Sequence, residues 1–428
     1  MPQTPPPHRQ RILIVAENAS AEFGGEAILP LKYFTLLAER GREVWLITHA
    51  RNRAHLEADF PGLAARITYS PDTRLHRLLW RIGRRFPGAI RDHLFGNLMG
   101  LVTGLQQRKL ARRLVRAQAI DLLHQPIPVS PAAPSLLHGL GVPVVIGPMN
   151  GGMNYPPGYA DFESRAARLF VRLARPMAGL VNRLIPGKRR AAMLLVANRR
   201  SAEALPLRHP NVVELVENAV DFDFWPKPRK RKLNTGAFRL VFMGRLVALK
   251  GVAQTLEALA QVRATHPDRE ITLDILGDGE ERAALAAQVT RLGLGEAVRF
   301  HGFLPQRDCA RHLQDADALV LAALRECGGA VVLEAMAMGL PVIASDWGGP
   351  ADYLDSTSGI LVSPVPRAGF VPRLAKAISR LVDAPELVQD MGAAGAKRAR
   401  QEFDWQRKID RIEILYDRAM DGPPRKGG

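Results

Sequence analysis

Arg325-Glu326-Cys327-Gly328-Gly329-Ala330-Val331-Val332-Leu333-Glu334-Ala335-Met336-Ala337-Met338-Gly339-Leu340-Pro341-Val342-Ile343-Ala344 is the stretch whose reading decides the fold. An apolar, strand-like run at 316–321 leads into it. Glu326 then falls in a glycine-rich turn, a short helix carries Glu334, and Gly339 with Pro341 ends that helix before a second apolar run. Strand, glycine turn, helix and strand in this order make a unit of a parallel sheet. The turn sets two carboxylates beside the unpaired N–H groups and positive dipole end of a helix, where an anionic diphosphate docks. Carboxylates accept hydrogen bonds from sugar and ribose hydroxyls. The segment reads as a nucleotide-sugar site.

Three other strand ends in the same half carry related signals. Gly244-Arg245-Leu246-Val247-Ala248-Leu249-Lys250-Gly251 follows an apolar run at 238–243 and projects two cations where the Glu326 loop would present a diphosphate. A basic helix entry facing solvent is the alternative. Gly277-Asp278-Gly279 follows the run 272–276 and reads equally as ligand contact or plain turn. His301-Gly302-Phe303-Leu304 closes the run 298–301, where backbone groups could pair with a base or Phe303 could simply fill the core. Runs at 271–276, 318–321, 341–344 and 359–362 complete a set of candidate strands.

The amino-terminal half opens with a β-branched run at 12–16, then Gly24-Gly25-Glu26, a helical stretch at 27–39 and a second run at 43–48. Further runs at 120–124, 143–146 and 194–197 extend a second parallel sheet. The polar, basic, proline-bearing text around 221–236 reads as a linker. The expected organisation is a first Rossmann-like domain at 1–222, a linker at 223–236, a second domain at 237–395 and a terminal helix and tail at 396–428. Ligands would sit in the crevice at strand carboxyl ends. His49 and His124 end apolar runs and are candidates for acceptor contacts, or hydrogen-bonded structural residues.

The Gly-Arg and Lys-Gly of 244–251, the Glu-x7-Glu pair Glu326 and Glu334, the run 339–344 and Gly348-Gly349 together resemble the retaining glycosyltransferases of family 4, in glycosyl transferases group 1. The likeness is strongest over 238–362. It implies an α/β chain of GT-B architecture, two facing Rossmann-like doubly wound domains with an interdomain cleft. By the resemblance Arg245 and Lys250 hold the donor diphosphate, Glu326 the donor sugar and Glu334 the ribose, with the amides of Gly328 and Gly329 touching sugar and phosphate. Gly244, Gly277 and Phe303 complete the expected donor side, and Gly24, Gly25, His124 and Asn150 the acceptor and interdomain side. Gly24-Gly25-Glu26 resembles the family's glycine loop, and Glu217-Asn218-Ala219-Val220-Asp221 its Asn-Gly-Val-Asp with Ala219 in place of glycine. Many members carry a histidine after the strand read at 143–146; here Gly147-Pro148-Met149-Asn150 follows, and Asn150 would take over that polar contact. Cys327-Gly328-Gly329 also departs from the family's usual residues after the first carboxylate. The resemblance implies no cofactor and no metal, since cations supply the charge and the nucleotide sugar is a co-substrate.

Composition bounds the rest. At 428 residues with 47% hydrophobic and 24% charged side chains the chain is globular and long enough for two or three domains. Cys309 and Cys327 are too few for a disulfide framework, and no local Cys/His spacing suggests zinc, so a reduced, cytoplasmic setting is expected. The opening residues lack a signal-peptide layout, and no run approaches the roughly 20 apolar residues of a membrane span. A net charge of +17 implies an anionic partner, whether nucleic acid, lipid head groups or phosphorylated substrate, and charge alone does not choose among them. From Arg74 to Arg116 and again at 165–190, arginines alternate with Leu75, Leu78, Leu79, Trp80, Ile82, Phe86 and others, the pattern of a basic helix in an anionic membrane interface. Core-packed helices with solvated arginines are the alternative.

The expected function is retaining sugar transfer from a UDP- or GDP-sugar to a lipid-linked or polysaccharide acceptor, by a peripheral protein at the inner, cytoplasmic membrane face. A catalytically inactive GT-B protein binding membrane or nucleic acid, or a nucleotide-sugar epimerase, stands as the alternative. No nucleic-acid-reading signature is present, so no specific nucleic acid is expected.

Overall fold

A computed structural model describes residues 10–21, 25–86, 95–163, 177–225 and 236–422. Its contacts divide the chain into two compact units. The first comprises Met1–Gly152, Ser164–Glu217 and Lys408–Gly428; the second comprises Met153–Glu163 and Asn218–Arg407. Most of the expected linker, 226–235, lies outside the described residues.

The first unit is built on seven parallel strands: β1 (Arg11–Val15), β2 (Glu43–His49), β3 (Ile67–Ser70), β4 (Leu122–Gln125), β5 (Val144–Met149), β6 (Met193–Val196) and β7 (Val212–Glu214), in the order β3-β2-β1-β4-β5-β6-β7. Their apolar runs are nearly continuous because helices cover both faces of a parallel sheet. Leu13, Ile14 and Val15 of β1 and Leu194, Leu195 and Val196 of β6 are fully buried. The sequence reading missed the two edge strands. β3 is the polar run Ile-Thr-Tyr-Ser, and β7 has only three part-exposed or exposed residues, so neither shows a buried strand's hydrophobicity.

Six parallel strands form the second unit's sheet: β8 (Ala237–Met243), β9 (Glu270–Leu276), β10 (Val298–Gly302), β11 (Ala318–Leu321), β12 (Val342–Ser345) and β13 (Gly359–Val362), ordered β10-β9-β8-β11-β12-β13. All six were expected, within two residues at each end. Strand order runs outward from β8 to β10 and then restarts at β11 on β8's other side. The carboxyl ends of β8 and β11 therefore flank the topological switch point, the place where doubly wound sheets bind ligands.

The region expected as a terminal helix and tail at 396–428 holds the end of one helix, Pro385–Glu402, and the whole of another, Trp405–Met420. Val220 separates them: its N–H donates to the Phe403 carbonyl and its carbonyl accepts from the Trp405 N–H, a strand-like bridge that a continuous helix could not make. From Lys408 onward the second helix packs into the first unit, burying Ile409, Ile412, Leu415, Tyr416 and Ala419 along one stripe.

Candidate functional site

The second unit's switch point is shaped by close backbone approaches. After β8 the chain makes a tight turn at Ala248–Lys250 and leaves it through Gly251, whose φ is +68°. A Cβ on Gly251 would lie 1.9 Å from the Ala322 carbonyl oxygen, so the loop after β11 closes against the loop after β8 only if this residue is glycine. The Leu324 N–H donates to the Leu249 carbonyl at 2.8 Å and fixes the pair of loops. Gly277 does the same between β9 and β8: at φ +143° its missing Cβ would fall 1.9 Å from the Gly244 carbonyl. The Gly277-Asp278-Gly279 turn is thus a packing device against Gly244-Arg245-Leu246, with the Leu246 N–H donating to the Asp278 carbonyl at 2.9 Å.

Into this frame the chain brings Lys250 and Glu326, which form an ion pair with side chains 19% and 15% exposed. The backbone carbonyl of Glu326 accepts from the Gly349 N–H at 2.8 Å, which accounts for the glycine pair Gly348-Gly349 after β12. Gly328 is buried, and Gly329 caps the helix Ala330–Ala337, whose first N–H groups have no intrahelical acceptor. Arg245 is exposed and has no acidic partner among the described residues. Glu334 lies on that helix and accepts a hydrogen bond at 3.0 Å from Gln306 Nε2. Burial pushes its carboxyl up to about 7, against which the Gln306 bond works. Phe303 stands 79% exposed just beyond β10, so it is not the core residue its alternative reading allowed.

Two residues that the sequence reading did not single out for roles complete the neighbourhood. Gln306 orients Glu334, and Arg325 pairs with Glu163 at 2.9 Å while its guanidinium lies 5.5 Å from the Tyr155 ring centroid. The segment Met153–Glu163 is bound to the second unit beside the Glu326 loop. The Trp347 indole donates to the Asn154 carbonyl at 2.9 Å, and Tyr159 Oη to the Pro364 carbonyl at 3.2 Å. Its aromatic and proline content, Tyr-Pro-Pro-Gly-Tyr, was the available signal.

The expected acceptor-side residues fare differently. Gly24 lies outside the described residues; Gly25 is exposed with φ +51°. His124 is fully buried in the first unit, which removes it from acceptor contact. Its Nε2–H donates to the Gly147 carbonyl at 2.6 Å, its Nδ1 accepts from Tyr416 Oη at 2.7 Å, and its ring sits edge-on to Tyr33 and Tyr416. Burial lowers its pKa to about 4, so it is neutral at pH 7. Asn150 is likewise buried and structural. Its amide nitrogen donates to Glu217 Oε2 at 2.6 Å and its oxygen accepts from Ser201 Oγ at 3.3 Å, so neither end is available to take over the family histidine's contact. His49 is also largely buried, and its Nδ1 accepts from the Arg51 N–H.

Residues 223–398 match the family model "Glycosyl transferases group 1". This segment belongs to that family. The group 1 segment covers β8 to β13, including every residue of the Lys250–Glu326 site. A glycogen synthase of Mycobacterium tuberculosis is 34% identical over 223 residues, which is 51% of this chain and about half, 52%, of that protein's length. A D-inositol 3-phosphate glycosyltransferase of an Arthrobacter species is 27% identical over 95% of this chain and 92% of its own. Among solved structures, the Anabaena protein HepE in complex with UDP superposes with a TM-score of 0.64 at 18% identity, covering 95% of this chain and all of the other. That likeness establishes the GT-B fold, two Rossmann-like units each on a parallel sheet.

Proposed function

We propose that this group 1 glycosyltransferase transfers a sugar, with retention, from a nucleoside diphosphate sugar to a lipid-linked or polysaccharide acceptor at the cytoplasmic face of an anionic membrane. The observation that carries the reading is the Lys250–Glu326 ion pair at the switch point, with Glu326 four residues ahead of the helix Ala330–Ala337 and Arg245 in the loop that leads to Lys250.

In such a transfer the bond between the anomeric carbon and the diphosphate oxygen breaks, and its electron pair leaves on the phosphate. Lys250, once the donor phosphate draws it from Glu326, would meet that growing charge together with Arg245 and the N–H groups at Gly328 and Gly329. Glu326 would accept hydrogen bonds from the sugar hydroxyls, and Glu334 from the ribose. Front-face departure of the nucleotide, with the acceptor hydroxyl attacking on the same side, needs no protein nucleophile. Lys250 and Arg245 would supply the positive charge that a divalent ion would otherwise provide, so no metal is expected for the donor.

The membrane part of the reading rests on the helix Arg74–Gly83 of the first unit. Its buried residues are His76 and Gly83, while Leu75, Leu78, Trp80 and Ile82 are exposed beside Arg74, Arg77 and Arg81. Among the described residues no helix is long and apolar enough to cross a membrane. Thermal shift with a panel of UDP- and GDP-sugars tests the donor: a ligand of the native state raises the melting temperature, and no response to any of them would overturn the assignment. Because HepE was solved with UDP, UDP and its sugars come first.

A further inference from the structure

Asp274, His301 and His312, whose side chains have no role in the sugar-nucleotide reading, lie together in the second unit. They come from β9, β10 and the helix Gln306–Asp315, and one ligand atom from each lies within 4.8 Å of the other two. The pairing of β9 with β10 shows how His301 reaches the cluster. Phe300 pairs with Ile275 and Gly302 with Leu276, so the ladder skips His301, a bulge that frees the residue to turn toward Asp274. Its Nε2 is 2.7 Å from Asp274 Oδ1. His312 closes the group from the helix, its ring centroid 4.3 Å from that of His301 and tilted by 58°. All three are part-exposed, so an ion can enter from solvent.

We propose that Asp274, His301 and His312 form a binding site for a first-row divalent transition metal, with Zn2+ as the representative ion. Two imidazoles and one carboxylate suit such ions and suit Mg2+ or Ca2+ poorly. Ligand bonds of about 2.0–2.2 Å to a tetrahedral ion set the donor atoms about 3.3–3.6 Å apart, between the 2.7 Å contact and the 4.8 Å limit seen here. The ion would take the place of the proton shared by His301 and Asp274, and rotation of the His312 side chain would complete the shell. A fourth position stays open to water. Bound there, the ion would tie β9 and β10 to the helix whose first residue, Gln306, holds Glu334. Local sequence spacing gives no hint of the site because its three ligands come from three separate elements.

The test uses the full chain, stripped with a chelator and dialysed. Calorimetry should find one Zn2+ per chain at this site, and Co2+ should give the visible absorption of a four-coordinate nitrogen–oxygen site. His301→Ala and Asp274→Asn should each weaken Zn2+ at least as much as loss of an outer-shell partner does, about 10- to 100-fold, with Mg2+ failing to compete. His312→Gln, on a part-exposed helix face, serves as the variant that keeps the fold. Absence of Zn2+ binding up to about 100 µM, a concentration at which a three-ligand site is filled, or affinity unchanged in His312→Gln, overturns the proposal.

Discussion

Lys250 and Glu326 neutralise each other at the carboxyl ends of β8 and β11, a contact between residues 76 positions apart that the glycine at 251 makes possible. The two were assigned separate duties from the sequence, one on the diphosphate and one on the sugar. Their pairing joins those duties, because a donor that engages Lys250 through its phosphate releases the Glu326 carboxylate for the hydroxyls. Lys250→Ala should therefore weaken UDP itself, whereas Glu326→Ala should leave UDP affinity nearly intact and abolish the extra affinity of a UDP-sugar over UDP. Turnover should fall by about 10²–10³ in both, the usual loss on removing one preorganised charge. The part-buried pair should contribute only about 1–2 kcal/mol to folding, so both variants stay folded. Calorimetry with UDP and a UDP-sugar checks this, and full turnover by both variants would remove the assignment.

Glu334 gives the site a pH dependence. Its carboxyl sits at about 7 in the folded protein against an ordinary 4.5, because burial disfavours the charge. Below that value it is protonated, and above it the carboxylate can accept two hydroxyl hydrogens. Nucleoside binding should strengthen as pH rises through 7, with proton release on binding. Uridine, which has no phosphate to titrate in this range, is the ligand to use. The stability effect has the opposite sign. A raised acid favours the folded state fully below pH 4.5, and that contribution is lost as pH rises through 7. Glu334→Gln should flatten both profiles, and an unchanged uridine profile in that variant would exclude Glu334 from the ribose.

The first unit should lose stability in acid for a reason its sequence does not show. His124 has a folded pKa of about 4 against 6.5 unfolded. A depressed histidine keeps its stabilising contribution above pH 6.5 and loses it as pH falls through 4, a change of about 3 kcal/mol for a shift of this size. Lys188 and Lys408, both pushed down to about 7 by burial, act in the same direction, since folding becomes easier as pH rises from 7 toward their unfolded value of 10.5. Lys188 Nζ donates to the Pro131 carbonyl at 2.6 Å and Lys408 to the Glu217 carbonyl. Urea unfolding of the first unit, followed between pH 4 and 8, should show its midpoint climbing. Tyr416→Phe, which removes the donor to His124 Nδ1, should cost about 1 kcal/mol at pH 7.

What the sequence disclosed and what it hid separate along physical lines. Strand ends marked by glycine announce themselves: at Gly251 and Gly277 a close backbone carbonyl leaves no room for a Cβ, and at Gly329 a φ of +86° disfavours any other residue, so the turns of the second unit were legible. His124 and Asn150 were misplaced because a polar residue after an apolar strand looks the same whether it meets a ligand or a partner 292 residues away, as His124 meets Tyr416. Burial, which decides between the two, is a tertiary property. The same blindness hid β3 and β7, the segment Met153–Glu163 and the cluster at Asp274.

The helix Arg74–Gly83 carries the last prediction because its burial is inverted. Gly83 packs against the Phe95 ring, and the other buried residue is polar: His76 Nδ1 accepts from the Thr73 N–H, its Nε2 lies 3.0 Å from Thr103 Oγ1, and Thr103 donates on to the Met99 carbonyl. Thr73 and His76 close a capping box that starts the helix. Leu75, Leu78, Trp80 and Ile82 are left outside, 39–56% exposed, with the Arg84 guanidinium 4.8 Å from the Trp80 ring centroid. A helix that hides its histidine and shows its leucines loses apolar burial unless another phase covers them. An anionic bilayer does so, and each arginine near its surface adds about 1 kcal/mol. Vesicles containing phosphatidylserine or phosphatidylglycerol should float the protein and shift Trp80 emission to the blue, while phosphatidylcholine vesicles should not. Arg77→Glu with Arg81→Glu should weaken binding at least about tenfold, losing about 2 kcal/mol of attraction and adding repulsion. Leu78→Ser should weaken binding to anionic vesicles without changing its salt dependence, since the apolar and charged contributions are separate. Equal flotation on neutral and anionic vesicles, or identical binding by the charge-reversed variant, would sink the membrane reading and leave the sugar-nucleotide site untouched.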